Sequence, residues 1–389
     1  MQQLDQDGCQ GGMGTTDRPL RVLVVSTSYP EHAGDWRGTF IRQQVAGLAS
    51  SPGIEVDLWA PPGDLPARVR AATTLDEAQW MRALMAAGGI SHIMRQGGLR
   101  SALAPWRLLR MLRSLYARQT SVDVYHINWL QCALPLPGNG TPALVCVLGN
   151  DLKLLRLPLM QFFLRRALRG RRAAICPNAD WMVEPLREAF GDVAHVQAVP
   201  FGIDPQWYAV QRTLPGHPRW LVVSRLTRDK IGPLLEWAAP LFQGESRTLH
   251  LFGPMQEPMD IPHWVNYHGP ATPQALATEW FPNATGLISL SRHAEGRPQV
   301  MLEAMASGLP IVASDIDAHT SLITHGESGE ICSNQREFAN ALESVETPAK
   351  NRRYAEASRQ RVKAQFGTWQ DCASRYVALY RRLLGPRDD

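Results

Sequence analysis

The chain has 389 residues, 44% of them apolar and 20% charged, with a formal net charge of +4 at pH 7. Such a length exceeds what one ordinary core organises and suits two α/β domains with an active site between them, while near-average proportions exclude a disordered chain or a repeat fibre as the overall class. The charge is too small to point to nucleic acid, no apolar run approaches the roughly 20 residues that span a bilayer, and the N-terminus lacks the charged start and apolar stretch of an export signal, so a cytoplasmic protein is expected.

Residues 1–19 are polar and glycine-rich without periodicity and are expected to form a flexible tail. From Leu20 onward, β-branched runs at 20–26, 54–60, 122–127, 143–148, 173–176 and 195–199 alternate with amphipathic stretches. Runs that are apolar on both faces and separated by helical patterns predict a parallel sheet covered on both sides, here a Rossmann-like domain over 20–204. The proline-rich stretch 205–218 is expected to be a linker. The pattern restarts with runs at 220–224, 248–252, 264–267, 286–290 and 310–314, predicting a second doubly wound domain over 219–365, followed by a closing segment 366–389. The six cysteines are scattered, without metal-type spacing, as expected of buried thiols in a reducing compartment.

Two stretches lack acidic residues: between Glu77 and Asp123, and between Asp151 and Asp180. In the first, Pro105 is expected to open a helix running to Arg118, with Leu108, Leu109, Met111, Leu112 and Leu115 on the apolar side and arginines opposite. Such a helix either rests on anionic lipid or packs ordinarily with a solvated arginine face.

The segment SRHAEGRPQVMLEAMASGLPIVAS, residues 291–314, carries the most chemistry. Glu295 and Gly296 follow a strand, Pro298 fits the first position of a helix, and Gly308 fits its end. Unsatisfied N–H groups near Gln299 and Val300 would make that helix start an anion site. Helical side chains tilt toward the N-terminus, so Glu303 would reach back toward a ligand there and, like Glu295, accept hydrogen bonds from hydroxyls. The alternative is an exposed loop glutamate and an ordinary helix former. In WLVVSRLTRDKIG, residues 220–232, Arg225 and Lys230 follow a strand, where they would either hold a diphosphate or be solvated turn residues.

The E-G-x-P-x-V-x-L-E-A-M-A-x-G-x-P-x-V-A-S pattern at 295–314, preceded by strand-R-L-x-x-x-K-x-G at 220–232, resembles the family-four retaining glycosyltransferases of the GT-B fold, the group 1 glycosyl transferases. The resemblance implies two Rossmann-like domains facing a cleft, acceptor-side first and donor-binding second. It implies Glu295 at the donor sugar hydroxyls, Glu303 on the ribose, Arg225 and Lys230 on the diphosphate, and Gly296, Arg297, Pro298, Gln299 and Val300 bringing backbone near the sugar and phosphates. Residues 25–44 resemble the family's opening strand and glycine loop, where Gly38 would let a phosphate or acceptor approach the backbone, a plain helix start being the alternative. Residues 199–204 resemble the segment before the interdomain linker, and 369–384 the closing helix that packs back on the N-terminal domain.

The departures fall at several places. Ser224 stands where the family has glycine before the arginine, and the glycine after the lysine is displaced to Gly232. An H-x-H segment reads His126 then Asn128, and a histidine commonly preceding glycine and aspartate is Leu148 before Gly149, Asn150 and Asp151. His126 either orients a substrate hydroxyl, as a catalytic group, or is a buried strand-end histidine. Asn128 and Asp151 are carried as acceptor-side residues.

The Asp315-Ile316-Asp317 spacing matches metal-dependent transferases, but Arg225, Lys230 and the helix dipole already supply positive charge, so neither metal nor cofactor is expected. The implied reaction moves a hexose-type sugar from a nucleoside-diphosphate sugar to a hydroxyl, with retention, in polysaccharide or glycolipid synthesis. The partners it implies are the nucleotide-sugar donor, a saccharide or lipid-linked acceptor, and an anionic surface on the inner face of the cytoplasmic membrane. Oligomeric state has no signal in the sequence. A nicotinamide dehydrogenase is disfavoured because no G-x-G-x-x-G follows the first strand. A nucleotide-sugar epimerase of similar build and a non-catalytic nucleotide-sugar binder are the remaining alternatives.

Overall fold

The computed structural model describes residues 18–32, 34–88, 99–244, 246–293 and 295–385. Most of the tail expected over 1–19 therefore lies outside the described residues. The N-terminal sheet is parallel throughout, with seven strands in the order β3-β2-β1-β4-β5-β6-β7. They are β1 Leu20–Val25, β2 Ile54–Trp59, β3 Val69–Ala71, β4 Val124–Asn128, β5 Ala143–Val147, β6 Ala173–Pro177 and β7 His195–Val196. The second sheet, also parallel, runs β10-β9-β8-β11-β12-β13. It consists of β8 Arg219–Val223, β9 Thr248–Phe252, β10 Val265–Gly269, β11 Gly286–Ser289, β12 Ile311–Ser314 and β13 Glu330–Cys332.

Each sheet carries helices on both faces, hence two cores per sheet. In both sheets the order reverses beside the first strand, and ligands of such sheets bind beyond the carboxyl ends of the strands at that switch point. This is the GT-B architecture, two Rossmann-like domains. Edge strands β3 and β13 escaped the sequence reading because each has only three residues, too few for a hydrophobic run to stand out.

Two further differences have local causes. The helix expected to start at Pro105 begins at Leu99 and encloses that proline. Proline omits one backbone hydrogen bond, yet the preceding turn, Leu99–Ala104, is rich in good helix formers. The stretch 205–218 is no free linker, since Trp207 and Val210 are buried in a core of the second domain and Trp207 packs on Phe281. Arg212 reinforces this by donating to the carbonyls of Gly308 and, at 2.7 Å, Ala284.

The chain crosses between domains twice. After the first crossing at Phe201–Asp204 it returns at Phe366–Thr368, and the two crossings run side by side: Ile203 N–H donates to Gly367 O at 3.1 Å, and Ile203 bridges Thr368 in parallel. The helix Trp369–Leu384 then lies on the N-terminal sheet, burying Trp369, Cys372, Tyr376 and Tyr380 against residues of β1, β2, β4 and the helix Thr39–Ala49. Glycine is required at the crossing, because a Cβ on Gly202 would sit 2.3 Å from both Thr368 O and Trp369 N.

Gly202→Ala is therefore expected to destabilise the protein by roughly 1–3 kcal/mol, as overpacking against backbone does. A differential scanning calorimetry trace unchanged from the parent would contradict this tight pairing of the crossings.

Candidate functional site

The site is assembled where β8 and β11 end. After β8, Ser224 and Arg225 lead into the one-turn helix Arg228–Ile231, whose cap Thr227 accepts from Lys230 N–H at 3.3 Å. After β11, the loop from Leu290 to Pro298 leads into the helix Gln299–Ala306. The two loops meet in the ion pair between Lys230 and Glu295, both largely shielded from solvent. Burial lowers the Lys230 ammonium pKa, and Glu295 pulls it back toward its ordinary value.

Arg225 lies within electrostatic reach of Lys230 and donates to Gln256 Oε1 at 3.3 Å. His293 belongs to the same cluster. Burial, together with Lys230, Arg225 and Lys153, pushes its pKa down to about 4 against the opposing pull of Glu295, so the ring is neutral at pH 7. Lys153 comes from the N-terminal domain, and cations from both domains thus converge on one place.

A buried network fixes the loop. His319 is fully buried, with its Nε2 3.3 Å from Ser289 Oγ and its Nδ1 3.1 Å from Ser314 Oγ, while Ser314 Oγ donates to Ser291 O at 2.6 Å. Pro298 is the N-cap and not the first helical residue: its carbonyl receives Met301 N–H, and the N–H groups of Gln299 and Val300 have no acceptor among the described residues. Glu303, one turn further, is shielded enough that burial raises its pKa to about 8, with Asp204 nearby adding to the rise. A nearly dry carboxyl beside two open N–H groups suits a ligand that is anionic at one end and bears hydroxyls at the other.

Several site residues expected from sequence serve the domain contact. Gly296 N–H donates to Leu148 O at 3.2 Å, and Gly296 O accepts from Trp181 Nε1 at 2.9 Å. Both polar groups of that backbone are thus held by the N-terminal domain. Arg297 likewise turns into the first domain: it is buried, donates to Asn178 O at 2.9 Å and Asp180 at 3.1 Å, and lies over the Phe366 ring. Gln299 donates to Gly202 O at 3.0 Å, while its amide oxygen is buried and unpartnered. Val300 packs against a core of the second domain.

His126 and the residues carried as acceptor-side, Asn128 and Asp151, are all buried. His126 is fully buried, paired through Nδ1 with the Tyr380 hydroxyl and through Nε2 with Cys146 Sγ at 3.2 Å, and burial drives its pKa down to about 3. With both nitrogens engaged in the core, His126 has the surroundings of the buried strand-end histidine. Asn128 is buried too, donating to Gln44 at 3.3 Å. Asp151 accepts from Leu148 N–H at 2.7 Å and Leu130 N–H at 3.0 Å, which shapes the Gly149 turn, and burial raises its pKa to about 6 despite those bonds. Gly38 has φ +69 and starts the helix Thr39–Ala49, where a Cβ would meet Ser28 Oγ at 2.7 Å. Asp315 pairs with Ser333, and among the described residues no group of three or more His, Cys, Asp or Glu side chains could hold a metal.

The sequence reading missed His293, His319 and Lys153. His293 stands two residues before Glu295 in the same loop, which was an available signal. Lys153 had none, because its proximity exists only once the domains meet.

Residues 217–347 match the family model of the glycosyl transferases group 1. That match covers 131 of the 389 residues, about a third of the chain. The D-inositol 3-phosphate glycosyltransferase of Rhodococcus erythropolis is 29% identical over 121 residues, 30% of this chain and 26% of that protein. Its counterpart from Gordonia bronchialis is 27% identical over 173 residues, 39% of this chain and 37% of that protein. The matched stretch thus spans well under half of either relative. Among solved structures of similar fold, sucrose-phosphate synthase from Thermosynechococcus elongatus has a TM-score of 0.68 at 18% identity, covering 94% of this chain and 99% of that one. Anabaena Alr3699/HepE in complex with UDP and glucose has a TM-score of 0.62 at 14% identity, covering 92% of this chain and 99% of that one. The segment similar to the family model contains Arg225, Lys230, Glu295 and Glu303, and the N-terminal residues that grip Gly296 and Arg297 lie outside it.

Because the Glu303 carboxyl titrates near 8 when folded against an ordinary 4.5, the folded protein holds the extra proton between those values. This group therefore contributes a stability that is greatest at low pH and is lost as pH rises toward 8. Glu303→Gln is expected to match the parent near the acid end of that range and to melt several degrees higher near its alkaline end. Parallel melting curves across the range would refute the shift.

Proposed function

We propose that the protein transfers a hexose-type sugar from a nucleoside-diphosphate sugar to a hydroxyl acceptor, with retention of anomeric configuration and without metal. The observation that carries this reading is the gathering of Arg225, Lys230 and Glu295 at the open N-terminus of the helix Gln299–Ala306, with Glu303 shielded one turn inside. The two cations and the helix start would bind the diphosphate, and Glu303, ionised on contact, would accept from the ribose hydroxyls. Glu295 would accept from the sugar hydroxyls as the diphosphate draws Lys230 toward itself.

Departure of the diphosphate runs ahead of attack in this scheme. The acceptor hydroxyl approaches the same sugar face and gives its proton to a phosphate oxygen, so no protein base is required. Neutral His293 stands among these groups as a donor or acceptor without adding charge. The similarity of residues 217–347 to the group 1 family model and the likeness to a fold holding UDP and glucose support a sugar-nucleotide donor. Synthesis of a polysaccharide or glycolipid is the role that fits a hydroxyl acceptor.

A thermal-shift panel of UDP, GDP, dTDP and ADP with their sugars is expected to give stabilisation by one nucleotide, undiminished by EDTA and lost in Arg225→Ala. In the transfer assay, Arg225→Ala and Lys230→Ala are each expected to cost about 2–4 kcal/mol of barrier, roughly 10²–10³ in kcat, with product of unchanged anomeric configuration by NMR. Stabilisation by none of the nucleotides would sink the donor reading, and binding without turnover of any acceptor would favour a non-catalytic binder.

A further inference from the structure

Large apolar side chains left in solvent are concentrated on one rim of the N-terminal domain. Leu103 and Trp106 project from the first part of the helix Leu99–Arg118, Leu157 and Leu159 from the turn just before the helix Met160–Leu168, and Phe162 and Phe163 from its start, with Trp106 70%, Leu159 67% and Phe162 59% exposed. Both helices bury their other side in the same core, so they share a face of the sheet. Each ends shortly before the parallel strand it feeds, β4 or β6, which places its C-terminus at the amino edge and its N-terminus at the carboxyl edge. The exposed apolar groups therefore lie on one face at the cleft edge of the domain.

The same rim is basic. Arg107, Arg110, Lys153, Arg156 and Arg166 are exposed, and no ion pair to any of them occurs among the described residues. Arg165 is the exception in pairing with Asp192. No acidic residue occurs between Glu77 and Asp123 or between Asp151 and Asp180. One more feature is unexplained by packing: Leu159 is held at φ +61, in the left-handed region, with its side chain pointing into solvent. A strained leucine with no core to fill is consistent with a surface built for contact.

We propose that this rim docks on an anionic lipid bilayer, with Leu159, Phe162, Phe163 and Trp106 entering the headgroup region and the surrounding arginines and Lys153 meeting lipid phosphates. An apolar patch ringed by cations fits this partner, because burial of the aromatics and attraction to anionic headgroups add together. The expected seat of lipid contact thus shifts from the arginine face of the Leu99–Arg118 helix to the exposed starts of two helices. Lys153 lies in the turn after Gly149, beside the loop bearing Glu295, so the bilayer would adjoin the mouth of the cleft. Resting on the transfer reaction proposed above, this makes the acceptor one that the bilayer carries.

The test is co-sedimentation of the full chain with phosphatidylcholine vesicles, with and without phosphatidylglycerol, alongside the nucleotide thermal shift. The parent should bind the anionic vesicles and bind the neutral ones far less. The variant Leu159→Gly/Phe162→Ser/Phe163→Ser, whose glycine relieves the backbone strain, should lose about tenfold or more in anionic-vesicle binding while keeping the parent's nucleotide shift. A second variant, Arg156→Glu/Arg166→Glu, should lose binding in proportion to the anionic lipid present. Equal binding to both vesicle types, or a triple variant that binds like the parent, would overturn the proposal. So would a parent that sediments as a dimer which the triple variant dissociates, since a second copy would then cover the rim. The donor reading fails separately, by absence of any nucleotide shift in a parent that still binds vesicles.

Discussion

The rest of the site depends on one close backbone approach across the cleft, that of Gly149 and Gly296. Gly149 adopts φ +106, and a Cβ placed on it would stand 2.1 Å from Gly296 N; one on Gly296 would stand 2.0 Å from Asn178 Oδ1. Only two residues without side chains allow the loop after β11 to touch the loop after β5. Once they touch, Leu148 O, Trp181 and Asn178 hold Gly296 and Arg297, and the helix behind them presents its open end at the domain boundary. Asp151, binding two N–H groups of its own domain, keeps the Gly149 turn in the form that contact needs.

Charge is arranged around that contact so that the unliganded site remains tolerable. Lys230 is compensated by Glu295, Glu303 is protonated up to a pKa of about 8, and His293 is neutral above about 4. An entering polyanion would compete with Glu295 for Lys230 and meet little opposing negative charge. Groups that are costly to bury ionised are thus kept neutral or paired in the resting protein.

Much of this was legible in the sequence because it is local. The runs at 220–224 and 286–290 mark strands by their burial on both faces, and Arg225, Lys230, Glu295 and Glu303 follow them at short, countable distances. What was not legible is what depends on distant segments meeting. His126 falls where the resemblance has an H-x-H segment, which left a substrate contact and a buried strand-end histidine both open, and its partners Tyr376 and Tyr380 come from the last helix. Arg297 looked like part of a donor loop, although Asn178 and Asp180 claim it from the other domain. Trp207 and Arg212 sat in a proline-rich stretch whose composition suggested a linker and gave no hint of the core they enter.

The paired crossings at Ile203 and Thr368 give the molecule a mechanical character. A single flexible strand between two lobes is a swivel, free to twist and slide. Two strands hydrogen-bonded side by side resist both and leave one easy rotation, about an axis running through the pair. Asp204 lies at that axis and Glu303 close by, so the pocket near them would change little as the lobes part. The protein is built as a book with a stiff spine, in which the inner margin of the page keeps its shape while the outer edges open.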